Sequence, residues 1–422
     1  METGPKGPGY SESLVRPGAV AAVALIAAVL GGLIAAVVAD RSGTGESGST
    51  QTVFVQGGGA ALPVESTVPA ASAKPLPGNG FDPAAIYRAR TAGVVTVYSY
   101  FGDRPTSERA AQGSGFVISE RGDVLTSAHV VTTAGEDQDP GAKPAEADRV
   151  FVAFDDRDRV PARLVGWDAY DDVAVLRVNP NDHALDPVPL ANSDLVVVGE
   201  PVAAMGSPFG NENSLAVGIV SATRRSIDSL TSNYTVADAI QTDAPITHGN
   251  SGGPLFDARG RVIGINAQIR TTSGQSEGVG FAIPINAAKR SFEQIAQTGR
   301  VAYAYIGLSA EDLTPTIARR FRYPVQRGAV IACVVGDGPA DDAGLRGGDE
   351  RRQLNGLAFR HGGDVVVKIG NNPIGSADDL VRVVSERLLP GQVVRFTVRR
   401  GDEQLSVPVR LDERPKQPTG DC

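Results

Sequence analysis

Cysteine and histidine are scarce in this chain, which holds two cysteines and four histidines among its 422 residues. Cys333 and Cys422 lie far apart in the sequence, which excludes a disulfide framework and a cysteine-rich metal site. Cys333 stands in the apolar run GAVIACVV, and this setting predicts a small core residue. The acidic stretch GEDQDPGAKPAEAD does not have the spacing of an EF-hand loop and is interpreted as a solvent loop. We therefore expect neither a metal nor another cofactor.

Basic runs with interleaved aromatic residues are also missing. The chain has 40 lysines and arginines against 48 aspartates and glutamates, which gives a formal net charge of -8. This balance favours solubility and does not provide the positive surface that binds a phosphate backbone. We expect no nucleic-acid partner.

One long run without charge is present near the amino terminus, at residues 18–39. As a helix, this segment would be about 33 Å long, enough to cross the hydrocarbon core of a bilayer. A cleaved signal peptide is the alternative, since Val37 and Ala39 resemble a small-residue cleavage site, but signal cores are usually about 7 to 15 residues long. We favour an uncleaved transmembrane signal anchor. Two basic residues precede it, so the positive-inside rule leaves residues 1–17 in the cytoplasm and the remaining chain outside.

Composition then divides the rest of the chain. Residues 40–82 are rich in Gly, Ser, Thr, Pro and Ala, which predicts a flexible linker. Residues 83–300 hold short β-branched runs separated by turn residues and end in one helical stretch, which predicts an all-β barrel or sandwich. A second, smaller unit at 301–412 mixes strands with helix candidates, and residues 413–422 form a tail. The fold class is predicted to be mainly β.

The segment GNSGGPL places Ser251 between glycines. This spacing also fits the nucleophile elbow of α/β-hydrolases, in which the acid and then the histidine follow the serine along the chain. Here the only histidine after Ser251 is His361, in the far domain, and the alternation of strands and helices is missing. We therefore reject the α/β-hydrolase interpretation.

The opposite order, histidine, aspartate and then serine, is present within the β-rich domain. His129 lies in VLTSAHVV, Asp172 in DDVAVLRV and Ser251 in GNSGGPL. A serine hydroxyl is a weak nucleophile that needs a neighbouring base, and the base needs a carboxylate to fix its tautomer, so these residues predict a catalytic triad. His248 is nearer in sequence, but on the same tight loop it is poorly placed to reach the Ser251 hydroxyl. The glycines allow the N–H groups of Gly249 and Ser251 to point at one spot, which predicts an oxyanion hole.

With these motifs, the chain resembles the HtrA/Deg family of trypsin-like serine proteases, which carry a C-terminal PDZ domain. The resemblance spans residues 84–411 and includes GSGFVIS, VLTSAHVV, DDVAVLRV, QTDAPI, GNSGGPL and GVGFAIPIN. It implies a chymotrypsin-like double β-barrel protease domain at 83–300 and a PDZ domain at 301–412. The long apolar run makes the membrane-anchored bacterial type the expected one.

The resemblance also implies a role for each motif residue. His129 would be the general base, Asp172 its orienting carboxylate and Ser251 the nucleophile. Gly249 and Ser251 would supply the oxyanion N–H groups, with Asn250 shaping that turn.

Substrate preference is implied by the same comparison of motifs. Trypsin-type enzymes that cleave after Lys or Arg carry an aspartate six residues before the serine, and here that position is Pro245. The family's pocket positions fall on Ile246 and Ile269, which implies a small or medium aliphatic P1 side chain. Arg270 departs from the apolar residue often found beside them and leaves the depth of the pocket open.

The second domain contains the motif YIGL, which in PDZ domains of this family receives the C-terminal carboxylate of a peptide. The residues of that loop are Tyr305, Ile306, Gly307 and Leu308. Such a loop binds through backbone N–H groups while the peptide adds a strand to the sheet edge. An insertion at 349–363, whose role the sequence does not assign, interrupts the family pattern, and His361 within it is expected at the surface.

These observations predict an extracytoplasmic serine endopeptidase that degrades misfolded or damaged proteins, regulated by PDZ binding of exposed C-termini. The alternative is a chaperone or peptide-binding scaffold with a mostly resting protease centre. The resemblance implies a homo-oligomer, usually a trimer formed near the start of the protease domain. Phe81 and Tyr87 are candidates for that contact, and core packing is the alternative for both.

Overall fold

The computed structural model describes residues 80–102, 110–134, 144–207, 214–232, 234–247, 249–267 and 279–415. The predicted anchor at 18–39 and nearly all of the linker lie outside these ranges. Within them, no helix is both long enough and apolar enough to cross a membrane.

A short helix leads into the first barrel. Helix α1 (Pro83–Arg90) begins at Asp82, whose side chain accepts a hydrogen bond from the Ala85 N–H at 3.0 Å. A 3-10 turn (Thr91–Gly93) follows it. Phe81 and Tyr87 both pack against the main hydrophobic cluster of this chain, in agreement with the core alternative for these two residues.

Six antiparallel strands close the first barrel, in the order β1-β2-β3-β6-β5-β4. They are β1 (Val94–Tyr100), β2 (Ala110–Val117), β3 (Asp123–Thr126), β4 (Arg149–Ala153), β5 (Arg159–Asp168) and β6 (Val173–Val178). Burial alternates along β4, where Val150 and Val152 face inward, because successive side chains of a strand point to opposite faces. Helix α2 (Ala128–Val131) follows β3 at the rim of this barrel.

The second barrel also has six strands, in the order β10-β11-β12-β9-β8-β7. They are β7 (Pro201–Gly206), β8 (Ser214–Asp228), β9 (Thr235–Thr242), β10 (Pro254–Phe256), β11 (Val262–Ala267) and β12 (Gly280–Pro284). A 3-10 turn (Ser193–Leu195) precedes β7, and helix α3 (Ile285–Thr298) follows β12 and ends at Gly299 in the left-handed conformation. One apolar cluster joins Phe116 of the first barrel to Phe256 of the second and to Ile295 of α3, so the barrels pack around a shared core.

The smaller domain has a sheet in the order β14-β15-β18-β20-β21, with β19 paired to β18. Its strands are β13 (Ala304–Tyr305), β14 (Leu308–Leu313), β15 (Gly328–Val334), β16 (Glu350–Leu354), β17 (Leu357–His361), β18 (Val365–Ile369), β19 (Asn372–Pro373), β20 (Val393–Arg400), β21 (Glu403–Arg410) and β22 (Asp412–Glu413). Its helices are α4 (Pro315–Phe321), α5 (Pro339–Asp342) and α6 (Ala377–Arg387). Strand β13 pairs with β22, so the two ends of this domain meet. The mainly β prediction, with a double barrel and a second smaller domain, is confirmed.

The insertion at 349–363 forms a β-hairpin of β16 and β17. Its turn residues Asn355 and Gly356 both have positive φ angles, 52° and 82°, as two-residue hairpin turns require. His361 is half-buried rather than at the surface, because its ring packs beside Phe321 and its Nδ1 lies 2.9 Å from the Tyr323 hydroxyl. The expectation of a surface histidine was wrong.

Cys333 also differs from its prediction. It lies on β15, is half-buried, and takes part in a disulfide bond. The apolar run around Cys333 forms strand β15, whose last two residues are only half-buried. An apolar sequence context therefore did not predict the burial of Cys333. Cys422, the other cysteine of the chain, lies outside the described residues.

Candidate active site

His129 and Asp172 form a two-point contact at the rim of the first barrel. The backbone N–H of His129 donates to Oδ1 of Asp172 at 2.9 Å, and its Nδ1 lies 2.7 Å from Oδ2 of the same carboxylate. Because a carboxylate only accepts, Nδ1 carries the proton and Nε2 keeps its lone pair. The imidazole is therefore held in the tautomer that a general base needs.

The environment of the pair sets the basicity of the histidine. Burial disfavours the charged imidazole, but the charge and the hydrogen bond of Asp172 outweigh it, so the pKa of His129 is raised above its usual value. The carboxylate thus stabilises the imidazolium that forms when His129 accepts a proton.

Asp172 itself stands in an unusual backbone conformation, with φ of 53°, in the loop before β6. Non-glycine residues occupy this left-handed region rarely, and aspartate is among those that tolerate it. The carbonyl oxygen of Asp172 accepts a hydrogen bond from Ala128 N–H at 3.1 Å. The aspartate therefore fixes the helix of His129 through its backbone as well as through its side chain.

Ser251 lies on a tight turn before β10. Gly249 and Gly252 have φ angles of 97° and 84°, in the region that favours glycine. The N–H of Asn250 donates to the Thr247 carbonyl at 3.0 Å, so it is used within the turn. Asn250 therefore shapes the turn and does not offer its own N–H to an oxyanion.

The serine hydroxyl is buried beside the histidine helix. A Cβ atom on Gly252 would lie 2.8 Å from the Ser127 nitrogen, two residues before His129, so the serine turn and that helix are in direct contact. Ser251 Oγ is buried and has no hydrogen-bond partner among the described residues. Catalytic hydrogen bonds are often long in unliganded enzymes and tighten when substrate binds.

Ser114 on β2 holds the serine turn, a role that the sequence interpretation missed. Its N–H donates to the Ser251 carbonyl at 2.8 Å and its Oγ donates to the Gly249 carbonyl at 2.5 Å. The same Oγ accepts from the Ser207 N–H at 2.8 Å. Ser114 therefore orients two peptide units of the predicted oxyanion turn, one through its backbone and one through its side chain. The only signal in the sequence is the serine between two glycines in GSGFVIS, because each glycine there admits a close backbone approach.

The predicted pocket residues are only partly described. Ile246 is 7% exposed and packs in the core of the second barrel, where it occupies the space beside Gly280. Ile269, Arg270 and His248 lie outside the described residues. A substrate-pocket role for Ile246 stays a prediction.

The YIGL loop connects β13 to β14, and two of its carbonyl groups accept backbone hydrogen bonds from elsewhere in the domain. The carbonyl of Ile306 accepts from Ala340 N–H at 2.8 Å, and that of Gly307 accepts from Val335 N–H at 2.9 Å. Gly307 has φ of 74°, so the loop turns in a way that favours glycine. Strand β14 is the edge strand of its sheet and packs against α6. A peptide could therefore pair with the open edge of β14 as an added strand.

Metal chemistry has no evident site in this part of the chain. Across the described ranges, no group of three or more His, Cys, Asp and Glu side chains is arranged to hold a metal ion. The chemistry available at His129, Asp172 and Ser251 is acid–base and nucleophilic.

Comparison with protein families gives two matches. Residues 113–265 match the trypsin-like peptidase domain, and residues 304–411 match the PDZ domain.

Curated relatives are described as probable periplasmic serine endoproteases of the DegP-like type. The one from Hahella chejuensis is 39% identical over 326 residues, which cover 76% of this chain and 62% of that protein. The one from Pseudomonas fulva is 39% identical over 300 residues, covering 70% of this chain and 59% of that protein. This chain thus spans about three fifths of the length of the curated relatives it matches.

Solved structures agree with these matches. The HtrA-type protease AlgW with a bound tripeptide is 32% identical, with a TM-score of 0.63 over 79% of this chain and 97% of that one. A serine endoprotease from Yersinia pestis is 27% identical, with a TM-score of 0.54 over 79% of this chain and 98% of that one.

Proposed function

Because this chain belongs to the HtrA family of trypsin-like serine proteases, we propose that it is an extracytoplasmic serine endopeptidase acting on misfolded or damaged proteins. The observation that carries the proposal is the pairing of His129 with Asp172 through both carboxylate oxygens, beside the turn that holds Ser251. The scaffold alternative is not favoured, since every member of the triad is present and the relatives are described as endoproteases.

The reaction proposed for these residues is acyl transfer through an ester of Ser251. Ser251 Oγ attacks the scissile carbonyl carbon while Nε2 of His129 takes the hydroxyl proton, and Asp172 stabilises the imidazolium. The N–H groups of Gly249 and Ser251 donate hydrogen bonds to the negatively charged carbonyl oxygen. His129 then gives the proton to the leaving amine, and the C–N bond breaks to leave an acyl-serine. Water, deprotonated by the same nitrogen, then attacks the ester carbon. The C–Oγ bond breaks, His129 returns the proton to Ser251 Oγ, and the second product leaves as a carboxylic acid.

Substrate choice is proposed from the residues at the predicted pocket positions. With Pro245 in place of an aspartate, the site lacks the carboxylate that would pair with a Lys or Arg side chain. Ile246 and Ile269 are apolar, which favours a small or medium aliphatic P1 residue.

The second domain would bind the C-terminus of a substrate protein and thereby regulate the protease domain. Its edge strand β14 and the YIGL loop fit capture of a free C-terminal carboxylate and addition of a peptide strand. Solved HtrA-type relatives hold a tripeptide or a decapeptide, which supports a peptide ligand.

Residues 18–39 would anchor the chain in the membrane, with the protease and PDZ domains on the extracytoplasmic side. The periplasmic description of the relatives supports this side of the membrane. Assembly as a trimer is proposed from the family resemblance alone.

Cleavage of unfolded casein by the purified full chain, in mild detergent, tests the proposal. The matched control is Ser251→Ala, with both proteins brought to the same concentration and compared by thermal unfolding. We expect fragments from the wild-type chain only. Equal proteolysis by the two proteins would refute the endopeptidase assignment.

A further inference from the structure

Tyr303 stands in the connector between the two folded domains, at residues 299–303, directly before β13. Its side chain is buried, and its hydroxyl lies 2.6 Å from Oδ2 of Asp168 and 2.7 Å from Oδ2 of Asp171. Neither aspartate has a role in the reaction derived above. Both belong to residues 168–172, here termed the acid loop, which ends at Asp172.

The hydroxyl of Tyr303 carries one hydrogen but faces two carboxyl groups. Its oxygen lies at hydrogen-bond distance from one oxygen of each group, so the tyrosine bridges the two carboxyl groups. Asp171 also lies 3.6 Å from the Arg290 guanidinium. Tyr303, Asp168 and Asp171 therefore form one hydrogen-bonded unit.

Asp168 also organises the acid loop from within. Its Oδ1 accepts the N–H of Tyr170 at 2.9 Å, and its Oδ2 accepts the hydroxyl of Ser291 on α3 at 2.7 Å. The loop ends at Asp172, which has a left-handed backbone conformation. Such a conformation is maintained only when the surrounding structure holds it in place. A shift of Asp168 or Asp171 would be passed directly to the carboxylate that holds His129.

The first residues after the PDZ domain contact the acid loop and the neighbouring Tyr234. The hydroxyl of Tyr170 donates to the Arg414 carbonyl at 3.0 Å, and that of Tyr234 donates to the Pro415 carbonyl at 2.9 Å. The Arg414 guanidinium lies 5.3, 5.2 and 5.0 Å from the ring centroids of Tyr170, Tyr234 and Tyr303. The acid loop is therefore held by Tyr303, just before strand β13, and by Arg414, just after strand β22.

Arg414 also extends this contact to the predicted peptide groove. Its Nη2 donates to the Ser385 hydroxyl at 2.7 Å, and Ser385 lies on α6, the helix beside edge strand β14. A movement of α6 would displace Arg414 and, through Tyr170 and Tyr303, the acid loop.

We propose that Tyr303 is a positioning residue for the catalytic carboxylate: its hydroxyl fixes the acid loop and thereby couples docking of the PDZ domain to the alignment of Asp172 with His129. This inference rests on the proposed endopeptidase function and names a route of regulation for the same site. Tyr303 itself does not contact the reacting atoms. Its effect passes through Asp168 and Asp171.

The test compares Tyr303→Phe with Tyr234→Phe in the full chain. Both changes remove one hydroxyl and keep an aromatic ring beside the Arg414 guanidinium. Only Tyr303→Phe removes a hydrogen bond to the acid loop. For Tyr303→Phe we expect kcat on fluorescein-labelled casein to fall about tenfold, the loss of one hydrogen bond to a charged group, with KM changed less than about twofold. Tyr234→Phe should leave both constants within about twofold of wild type.

Two further readouts separate positioning from simple loss of stability. The acid limb of the pH–rate profile should move to lower pH in Tyr303→Phe, because a misaligned Asp172 supports the imidazolium less. The far-downfield proton resonance of His129 Nδ1–H should broaden or disappear in Tyr303→Phe and persist in Tyr234→Phe. Thermal unfolding midpoints of both variants would be recorded alongside.

Equal kinetic constants, pH profiles and His129 proton signals in the two variants would overturn the proposal. So would a lowered unfolding temperature in Tyr303→Phe with kcat per titrated active site unchanged. If the wild-type chain does not cleave casein in a Ser251-dependent way, the endopeptidase assignment fails, and the His129 proton signal still decides whether Tyr303 positions Asp172.

Discussion

Both carboxylate oxygens of Asp172 are used on a single residue, His129: Oδ1 accepts its backbone N–H at 2.9 Å and Oδ2 accepts its Nδ1–H at 2.7 Å. The first contact fixes where the helix of the histidine sits, and the second fixes which ring nitrogen carries the proton. The residues are 43 positions apart in the sequence. Position and protonation of the proposed base therefore depend on one side chain.

Asp172→Asn should lower kcat by about 10⁴, because an amide at this position allows the wrong imidazole tautomer and carries no charge to stabilise the imidazolium. The measurement is the initial rate of casein cleavage at saturating substrate. Asp155→Asn, a change at an exposed turn of the same domain, is the control and should have no effect. An Asp172→Asn rate within tenfold of wild type would contradict the assigned role.

The pH dependence of kcat/KM should show an acid limb above about 6.5, the usual pKa of histidine. Burial alone would lower the pKa of His129, but the charge and hydrogen bond of Asp172 raise it above that value. The base is active only when neutral, so activity rises as the pH rises through this raised pKa. A limb centred below the usual histidine value would mean that Asp172 does not stabilise the imidazolium.

Ser114→Ala should reduce kcat by about 10- to 100-fold, because the Gly249 carbonyl loses its donor and the Ser207 N–H loses its acceptor. The turn would remain in place but its N–H groups would be less well oriented. Ser99→Ala is a matched control, since Ser99 is also a buried serine of the first barrel and its Oγ has no hydrogen-bond partner among the described residues. Equal rates in the two variants would show that Ser114 does not organise the oxyanion turn.

Asp168→Asn should become more stable relative to wild type as the pH rises from about 4 to about 7. Burial, then the charge of Asp171, raise the pKa of Asp168 to about 6. The folded chain thus binds this proton more tightly than the unfolded chain, and the free energy of unfolding falls as the pH rises between the two pKa values. The other titratable or charged groups facing Asp168 are Tyr170, Tyr303 and Arg290.

Thermal unfolding of wild type and Asp168→Asn at several pH values measures this difference. Because the other ionisable groups are the same in both proteins, the change in their Tm difference reports on residue 168. A difference that stays constant with pH would show that Asp168 is charged throughout this range.

Much of this architecture could be predicted from sequence because the signals are local. The β-branched runs predicted strands, and three separate motifs predicted His129, Asp172 and Ser251. The fold pairs His129 with Asp172 and places the turn of Ser251 beside the histidine helix. The contacts of Ser114 and Tyr303 could not be predicted, since each joins segments more than a hundred residues apart through a common polar side chain. His361 was misjudged for a related reason: its burial depends on packing against α4, which its own segment does not reveal.

Labelling of the full chain with a fluorophosphonate, followed by peptide mass mapping, tests the central claim most directly. The reagent reacts with a serine only when a base and an oxyanion hole activate it. We expect one adduct, on Ser251, formed faster when a peptide with a free C-terminus is present and lost in His129→Ala. A folded, peptide-bound chain without an adduct on Ser251, or labelling that persists in Ser251→Ala, would contradict the account.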